Sequence, residues 1–124
     1  MGCYVIRAVK TGLKFDLRAA NGQIILTSEV YSSEAACRRG VESVRRTAAS
    51  APLLDLTEEG SQSVPNPRFE LYLDKSGAHR FRLKARNGKI VAVSEGYCGK
   101  ANCLKGIESI RANATAADTI YKKE

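Results

Sequence analysis

The chain has 124 residues, of which 44% are hydrophobic and 27% charged, and its formal net charge is +7. This length fits one ordinary domain and this composition fits a folded globular protein, so extended disorder and a fibrous class are excluded. No apolar run approaches the roughly 18 residues of a membrane helix and the first residues lack the pattern of a secretion signal, so we expect a cytoplasmic protein with no membrane partner.

The N-terminal part of the chain alternates apolar and polar residues, as β-strands do. This alternation predicts one strand near the start of the chain, with Tyr4, Ile6 and Ala8 on one face, and a second strand that ends at Ala19. Asn21-Gly22 then predicts a two-residue type I′ turn in which both residues have positive φ. A turn of this length places Ala19 opposite Ile24, where the third strand begins.

A helix is predicted after this hairpin. Ser32-Ser33-Glu34 supplies a capping hydroxyl and an acidic residue for the helix N-terminus. An apolar stripe with helical spacing follows, formed by Cys37, Gly40, Val41 and Val44. Because a mid-helix glycine costs about 1 kcal/mol relative to alanine, Gly40 indicates a close approach between helix and sheet.

A short apolar stretch at residues 53–56 could add an edge strand after the helix. Residues 57–68 contain several Gly, Ser and Pro residues and form the only linker-like stretch of the sequence.

The strands and helix predicted before the linker are predicted again after it. With a shift of 66 positions, residues 15–45 align with residues 81–111 without a gap, and 15 of these 31 pairs are identical. We therefore predict a single pseudo-twofold domain over residues 1–124, with repeat 1 at 1–56, the linker at 57–68 and repeat 2 at 69–124. The predicted fold class is α+β: two tandem βββα(β) repeats form one antiparallel sheet, and two helices pack on one face of it.

Three strings occur once in each repeat: Phe-x-Leu-x-Ala-x-Asn-Gly-x-Ile, Ser-Glu-x-Tyr and Gly-[Val/Ile]-Glu-Ser-[Val/Ile]-Arg. They resemble the YegP-like family of small bacterial and archaeal proteins, a domain of unknown function. The resemblance covers nearly the whole chain twice. It implies that the C-terminal strands, at residues 53–56 and 119–121, are exchanged between the repeats. It implies no activity, cofactor or catalytic residue.

The cysteines do not have the spacing of a metal site. Cys3, Cys37, Cys98 and Cys103 contain no Cys-x-x-Cys pair and the chain has a single histidine, so we predict no metal and no cofactor. Cys37 and Cys103 lie on the apolar stripes of the two helices, which is typical of buried cysteine. Cys98 comes just before the second helix and near Lys100, so it is the candidate reactive thiol; the alternative is a spectator side chain.

The repeated acidic and hydroxyl residues do not form a catalytic set. Glu42 and Glu108 are spaced for helix-surface pairs with arginine, and Ser43 and Ser109 have no neighbouring histidine. We therefore predict no catalytic residues and a protein that is not an enzyme.

Positive charge is concentrated in the second hairpin. Between residues 80 and 89 the chain carries five cations and no acid: Arg80, Arg82, Lys84, Arg86 and Lys89. Period-2 alternation places the first four on the sheet face opposite the core, where they could bind the backbone of a nucleic acid or another polyanion. A solvated surface that only aids solubility is the alternative.

These patterns favour a small non-enzymatic binding or scaffold module. Nucleic-acid or polyanion binding through the basic hairpin is the alternative function. We expect a monomer, with a homodimer as the alternative, and the sequence does not identify a partner.

Overall fold

One eight-stranded sheet and two helices make up the computed structural model, which describes residues 2–60 and 62–122. Residues 1, 61, 123 and 124, which belong to the predicted repeats and linker, lie outside the described residues. The elements are β1 (Cys3–Val9), β2 (Gly12–Arg18), β3 (Ile24–Ser28), α1 (Glu34–Thr47), β4 (Leu53–Asp55), β5 (Arg68–Leu73), β6 (His79–Lys84), β7 (Ile90–Val93), α2 (Lys100–Asn113) and β8 (Asp118–Lys122).

The strand order shows that the two repeats exchange their last strands. The order is β4-β5-β6-β7-β3-β2-β1-β8, so β4 of repeat 1 lies beside β5 of repeat 2, and β8 of repeat 2 lies beside β1 of repeat 1. The centre of the sheet is the antiparallel pair β3 and β7, where Thr27 faces its own counterpart Val93. The exchange implied by the family resemblance is therefore present in both halves.

The sheet is mixed rather than fully antiparallel. The six central strands are antiparallel to one another, as expected, whereas the edge strands β4 and β8 run parallel to β5 and β1. Residues 56–67 join β4 to β5, and most of the chain lies between β1 and β8, so both parallel pairs have the long connection that parallel strands need.

The hairpin turns differ from the predicted type I′ form. Ala19 donates its N–H to the Gln23 carbonyl and Gly22 donates to the Ala19 carbonyl, both at 2.9 Å, so the loop has three residues. Gly22 has a φ of 85°, and among the described residues no residue other than glycine has a positive φ. Asn21 instead accepts a hydrogen bond from the Gln23 N–H, which stabilises the turn from its side chain. The longer loop pairs Arg18, not Ala19, with Ile24, and Leu17 still pairs with Leu26 because β3 contains a bulge.

Both helices pack on the same face of the sheet and enclose one core. The largest buried side chains come from both repeats: Tyr4, Phe15, Phe69 and Phe81 are all fully buried in one cluster with the helix stripes. Helix α1 contacts β2 of its own repeat and β7 of the other, and α2 contacts β6 and β3 in the same way. Each repeat therefore completes its core with the other one. No helix in the described part of the chain is long and apolar enough to cross a membrane.

Candidate functional site

Three of the five cations of the second hairpin are paired with acids, one on the neighbouring strand β5 and one just after it. Glu70 of β5 is 1% exposed and accepts charge-assisted bonds from the three cations that surround it. These are Arg68 at 2.7 Å, Arg82 at 2.7 Å and Lys84 at 3.3 Å. Arg80 pairs with Asp74 at 2.6 Å. Three of the five hairpin cations are therefore engaged in ion pairs, and two of these three share the Glu70 carboxylate with Arg68.

These bonds shift the pKa values of both acids downward. Burial raises the pKa of Glu70, but the hydrogen bonds from Arg82, Arg68 and Lys84 outweigh it, and the pKa lies below its ordinary value of 4.5. The Ser76 hydroxyl and the Arg80 guanidinium hold the pKa of Asp74 far below its ordinary range. Both acids are therefore charged at neutral pH.

Tyr72, an aromatic side chain that could stack on a nucleic-acid base, is covered by an arginine of the same sheet. Tyr72 lies on the outer face of β5, and the Arg82 guanidinium lies over its ring at 4.5 Å from the centroid. Counting charges along the hairpin sequence does not reveal the acidic and aromatic partners of these cations, because the partners depend on the register between β5 and β6.

Arg86 and Lys89 are the two cations of the hairpin that remain unpaired. Both are exposed at the β6–β7 tip, and no carboxylate in residues 2–60 and 62–122 forms a salt bridge with either of them. The first repeat has the reverse polarity on its outer face, where the buried Asp16 of β2 accepts from Arg7 of β1 at 2.8 Å. Asp16 is the repeat counterpart of Arg82, so the two repeats have opposite charges at this position and each charge has a partner on the neighbouring strand.

Of the four cysteines, two are buried, Cys3 is half-buried and Cys98 is exposed. Cys37 and Cys103 are fully buried, and burial raises the pKa of each thiol to about 11. Cys98 is exposed, but the residue that caps α2 is Gly99, so Cys98 stands one position before the helix cap. In the described part of the chain, no three His, Cys, Asp or Glu side chains are grouped closely enough to hold a metal ion.

Several residues that are identical in the two repeats make the same packing contacts in both. The Tyr31 ring stacks on Phe15, and the Tyr97 ring stacks on Phe81, with centroids 6.3 Å apart in each case. A Cβ on Gly40 would lie within 3.0 Å of both rings of the first pair, and one on Gly106 would meet the second pair in the same way. The mid-helix glycines therefore admit a tyrosine between helix and sheet.

Arg45 and Arg111 each hold the exchanged strand of the other repeat. Arg45 of α1 donates to the Thr119 hydroxyl of β8 at 2.8 Å, and its guanidinium lies 4.9 Å from the Tyr4 ring centroid. Arg111 of α2 donates to the Ala51 carbonyl just before β4 at 2.8 Å. Spacing along the helix predicted only surface pairs with glutamate, and these also form.

Two grooves lie between the helix of one repeat and the hairpin tip of the other. Groove 1 has a volume of about 590 Å³ and lies between α1 and the β6–β7 tip; its lining includes Ser43, Arg46, Thr47, Ala85, Arg86 and Asn87. Groove 2 has a volume of about 400 Å³ and lies between α2 and the β2–β3 tip; its lining includes Ala19, Asn21, Lys105 and Ser109. Three lining positions are equivalent in the two grooves and have the same residue type. Groove 2 has Ala19, Asn21 and Ser109 where groove 1 has Ala85, Asn87 and Ser43.

A family model described as "Domain of unknown function (DUF1508)" matches this chain twice, at residues 11–55 and 74–120. The chain belongs to this family. The two matched segments fall on the two repeats and include both hairpins and both helices.

Similar proteins have one or two copies of the repeat. A UPF0339 protein of Methanosarcina acetivorans is 55% identical over 53 residues, which is 43% of this chain and 91% of that protein, so it is about one repeat long. UPF0339 protein MS1092 of Mannheimia succiniciproducens is 35% identical over 98% of this chain and 94% of its own length. The solution structure of yegP from E. coli, described as a protein of unknown function, has a TM-score of 0.78 and 30% identity, with 98% of this chain and 92% of that chain covered. These family and protein descriptions assign no activity.

Proposed function

We propose that this protein is a small non-enzymatic binding module. The observation that carries the proposal is that three pairs of shared side chains with the chemistry of nucleophiles make matching structural contacts in both repeats. These side chains are Ser28 and Ser94, Tyr31 and Tyr97, and Cys37 and Cys103.

The shared serines illustrate the point. Ser28 accepts the Phe15 N–H at 2.9 Å and donates to the Glu29 carbonyl at 2.7 Å, so its hydroxyl is fully used by the backbone. Ser94 makes the same two bonds in repeat 2. A nucleophilic serine needs a base at hydrogen-bond distance, and both of these hydroxyls donate to a carbonyl instead.

The test is the fate of whatever co-purifies with the protein at low salt. We expect mass spectrometry to find a ligand that is released unchanged after prolonged incubation with the protein, and elemental analysis to find no stoichiometric metal. Conversion of the ligand, particularly a conversion that Cys98→Ser abolishes and Cys37→Ser leaves intact, would contradict the proposal. So would a metal ion bound in stoichiometric amount.

Polyanion binding is the second candidate, and Arg86 and Lys89 favour it. Their charges are exposed at one hairpin tip and lack acidic partners among the described residues, so they are available to a phosphate backbone. The contact would involve few phosphates, so the affinity should be low and should fall as salt is raised.

Fluorescence anisotropy with labelled single-stranded RNA and DNA, between low and physiological salt, tests this second candidate. Arg86→Ala with Lys89→Gln introduces the residues that repeat 1 has at these positions and should weaken binding at low salt. Lys10→Gln with Lys75→Gln removes the same charge from two other exposed sites and should change it less. No binding at low salt, or an equal loss in both variants, would exclude binding at the hairpin tip.

A further inference from the structure

Two arginines of groove 1 differ from most arginines of the chain. Seven of the eleven arginines have a carboxylate within 3.4 Å. Arg46 and Arg86 have no such partner among the described residues, and both line groove 1. They come from different elements of different repeats, since Arg46 belongs to α1 and Arg86 to the β6–β7 tip.

The other repeat has no arginine at either of these positions. The position equivalent to Arg46 is occupied by Ala112 in repeat 2, and the position equivalent to Arg86 is occupied by Ala20 in repeat 1. Both alanines belong to the helix and hairpin that form groove 2. The helix and hairpin of groove 1 therefore have two arginines where the helix and hairpin of groove 2 have two alanines.

Groove 1 also offers hydrogen-bond donors and an apolar wall. The Asn87 side-chain oxygen is used by the Lys89 N–H at 3.0 Å, which leaves the amide NH₂ group as a donor. The Ser43 hydroxyl has no hydrogen-bond partner among the described residues, whereas the Thr47 hydroxyl donates to the Ser43 carbonyl. Pro67 and Ala85 supply apolar surface beside these groups.

We propose that groove 1 binds a small organic molecule through its phosphate monoester. A phosphate monoester carries a charge of about −1.5 to −2 at neutral pH, which matches two guanidinium groups, and arginine binds phosphate oxygens in a bidentate manner. A volume of about 590 Å³ exceeds that of a bare phosphate, so it accommodates an organic body against the apolar wall. The inference rests on the proposed binding module and names the ligand class of that module.

Backbone amide NMR shifts during titration provide the test. The probes are adenosine 5′-monophosphate and ribose 5-phosphate, with adenosine, ribose and inorganic phosphate as controls. Saturable shifts at Ser43, Arg86 and Asn87 are expected for the two monoesters, with weaker binding of inorganic phosphate and no response to adenosine or ribose. Equal shifts at the exposed Arg39 and at Lys105 of groove 2, or no saturation at millimolar concentrations, would overturn the proposal. Equal affinity for inorganic phosphate would overturn the assignment to an organic ligand.

The duplication supplies matched variants for the same titration. Arg46→Ala and Arg86→Ala introduce the residues of the other repeat, so both should fold, and each should weaken monoester binding about tenfold. Lys105→Ala in groove 2 should leave the affinity unchanged. Ala20→Arg with Ala112→Arg should create a second binding site per chain. Unchanged affinity in both arginine variants would overturn the proposal.

Phosphorus NMR of the same samples separates the two proposals. Cleavage of the monoester by the protein would contradict the non-enzymatic module but leave the binding site in place. A failure of both monoesters to bind would remove groove 1 as a phosphate site and leave the binding module to be tested by its co-purifying ligand.

Discussion

Glu70 and Arg82 face each other across β5 and β6 and are joined by an ion pair of 2.7 Å, with Glu70 almost fully buried. The Glu70 carboxylate is also the acid for Arg68 and Lys84. This one carboxylate therefore contacts three cations on the outer face of repeat 2 and places a negative charge among them.

Glu70→Gln should destabilise the protein by about 2 kcal/mol, because it leaves three cations close together without their counter-charge. The figure is below that of a fully buried pair since the cations are partly exposed. Urea denaturation measures the change. Glu34→Gln, which breaks the exposed pair with Arg38, is the control and should cost only a few tenths of a kcal/mol. Similar costs for the two variants would show that the Glu70 cluster adds no special stability.

The same carboxylate should make stability depend on pH in the acid range. The pKa of Glu70 in the folded protein lies below the ordinary value of 4.5, so its contribution is present above that pH and is lost as the pH falls through the lower folded value. Unfolding free energies of the wild type should therefore decline between about pH 5 and pH 3, and Glu70→Gln should show a shallower decline. Parallel pH profiles for the two proteins would assign the acid sensitivity to other groups.

Gly40→Ala and Gly106→Ala should each destabilise the protein by about 2 kcal/mol through overpacking. The added Cβ would clash with the Tyr31 hydroxyl and would lie 2.5 Å from the Tyr97 hydroxyl in the second repeat. Gly99→Ser is a matched glycine control: a Cβ added there would meet no atom of the described residues within 4 Å beyond its chain neighbours, and Ser33 already caps α1 at the equivalent position. It should leave stability unchanged or raise it by a few tenths of a kcal/mol. Thermal denaturation compares the three, and a neutral Gly40→Ala would contradict the close approach.

The sequence predicts the strands and helices of this protein well because periodicity is a local property. A capping hydroxyl in Ser32-Ser33-Glu34 and a core position for Cys37 follow from local sequence, and the structure has Ser33 as the cap and Cys37 fully buried. The turn type was wrong because Asn21 stabilises a three-residue loop through its side chain, a choice that the Asn-Gly pair does not settle.

The parts of the candidate site that the sequence did not predict all depend on long-range placement. Glu70 meets Arg82 only through strand register, and Arg46 shares a groove with Arg86 only because α1 lies over β7 of the other repeat. One signal was available in the sequence: two positions have arginine in one repeat and alanine in the other. That both arginines line the same groove is visible only from the pseudo-twofold arrangement of the sheet.

Arg45→Gln should loosen β8 selectively. Arg45 donates to the Thr115 and Ala117 carbonyls and to the Thr119 hydroxyl, so it holds the segment that leads into β8 as well as the strand itself. Losing these bonds should raise the hydrogen-exchange rates of the β8 amides about tenfold, because a hydrogen bond to a charged group is worth roughly 1.5 kcal/mol or more.

Arg111→Gln is the matched control, since it performs the same role for β4 through the Ala51 carbonyl. It should raise exchange at β4 and leave β8 protected, while Arg45→Gln does the reverse. Uniform acceleration over the whole sheet in both variants would mean that the exchanged strands open only when the whole domain unfolds. Selective opening would instead show that each repeat's arginine secures the strand contributed by the other, so that the exchange is held by contacts at both ends of the sheet.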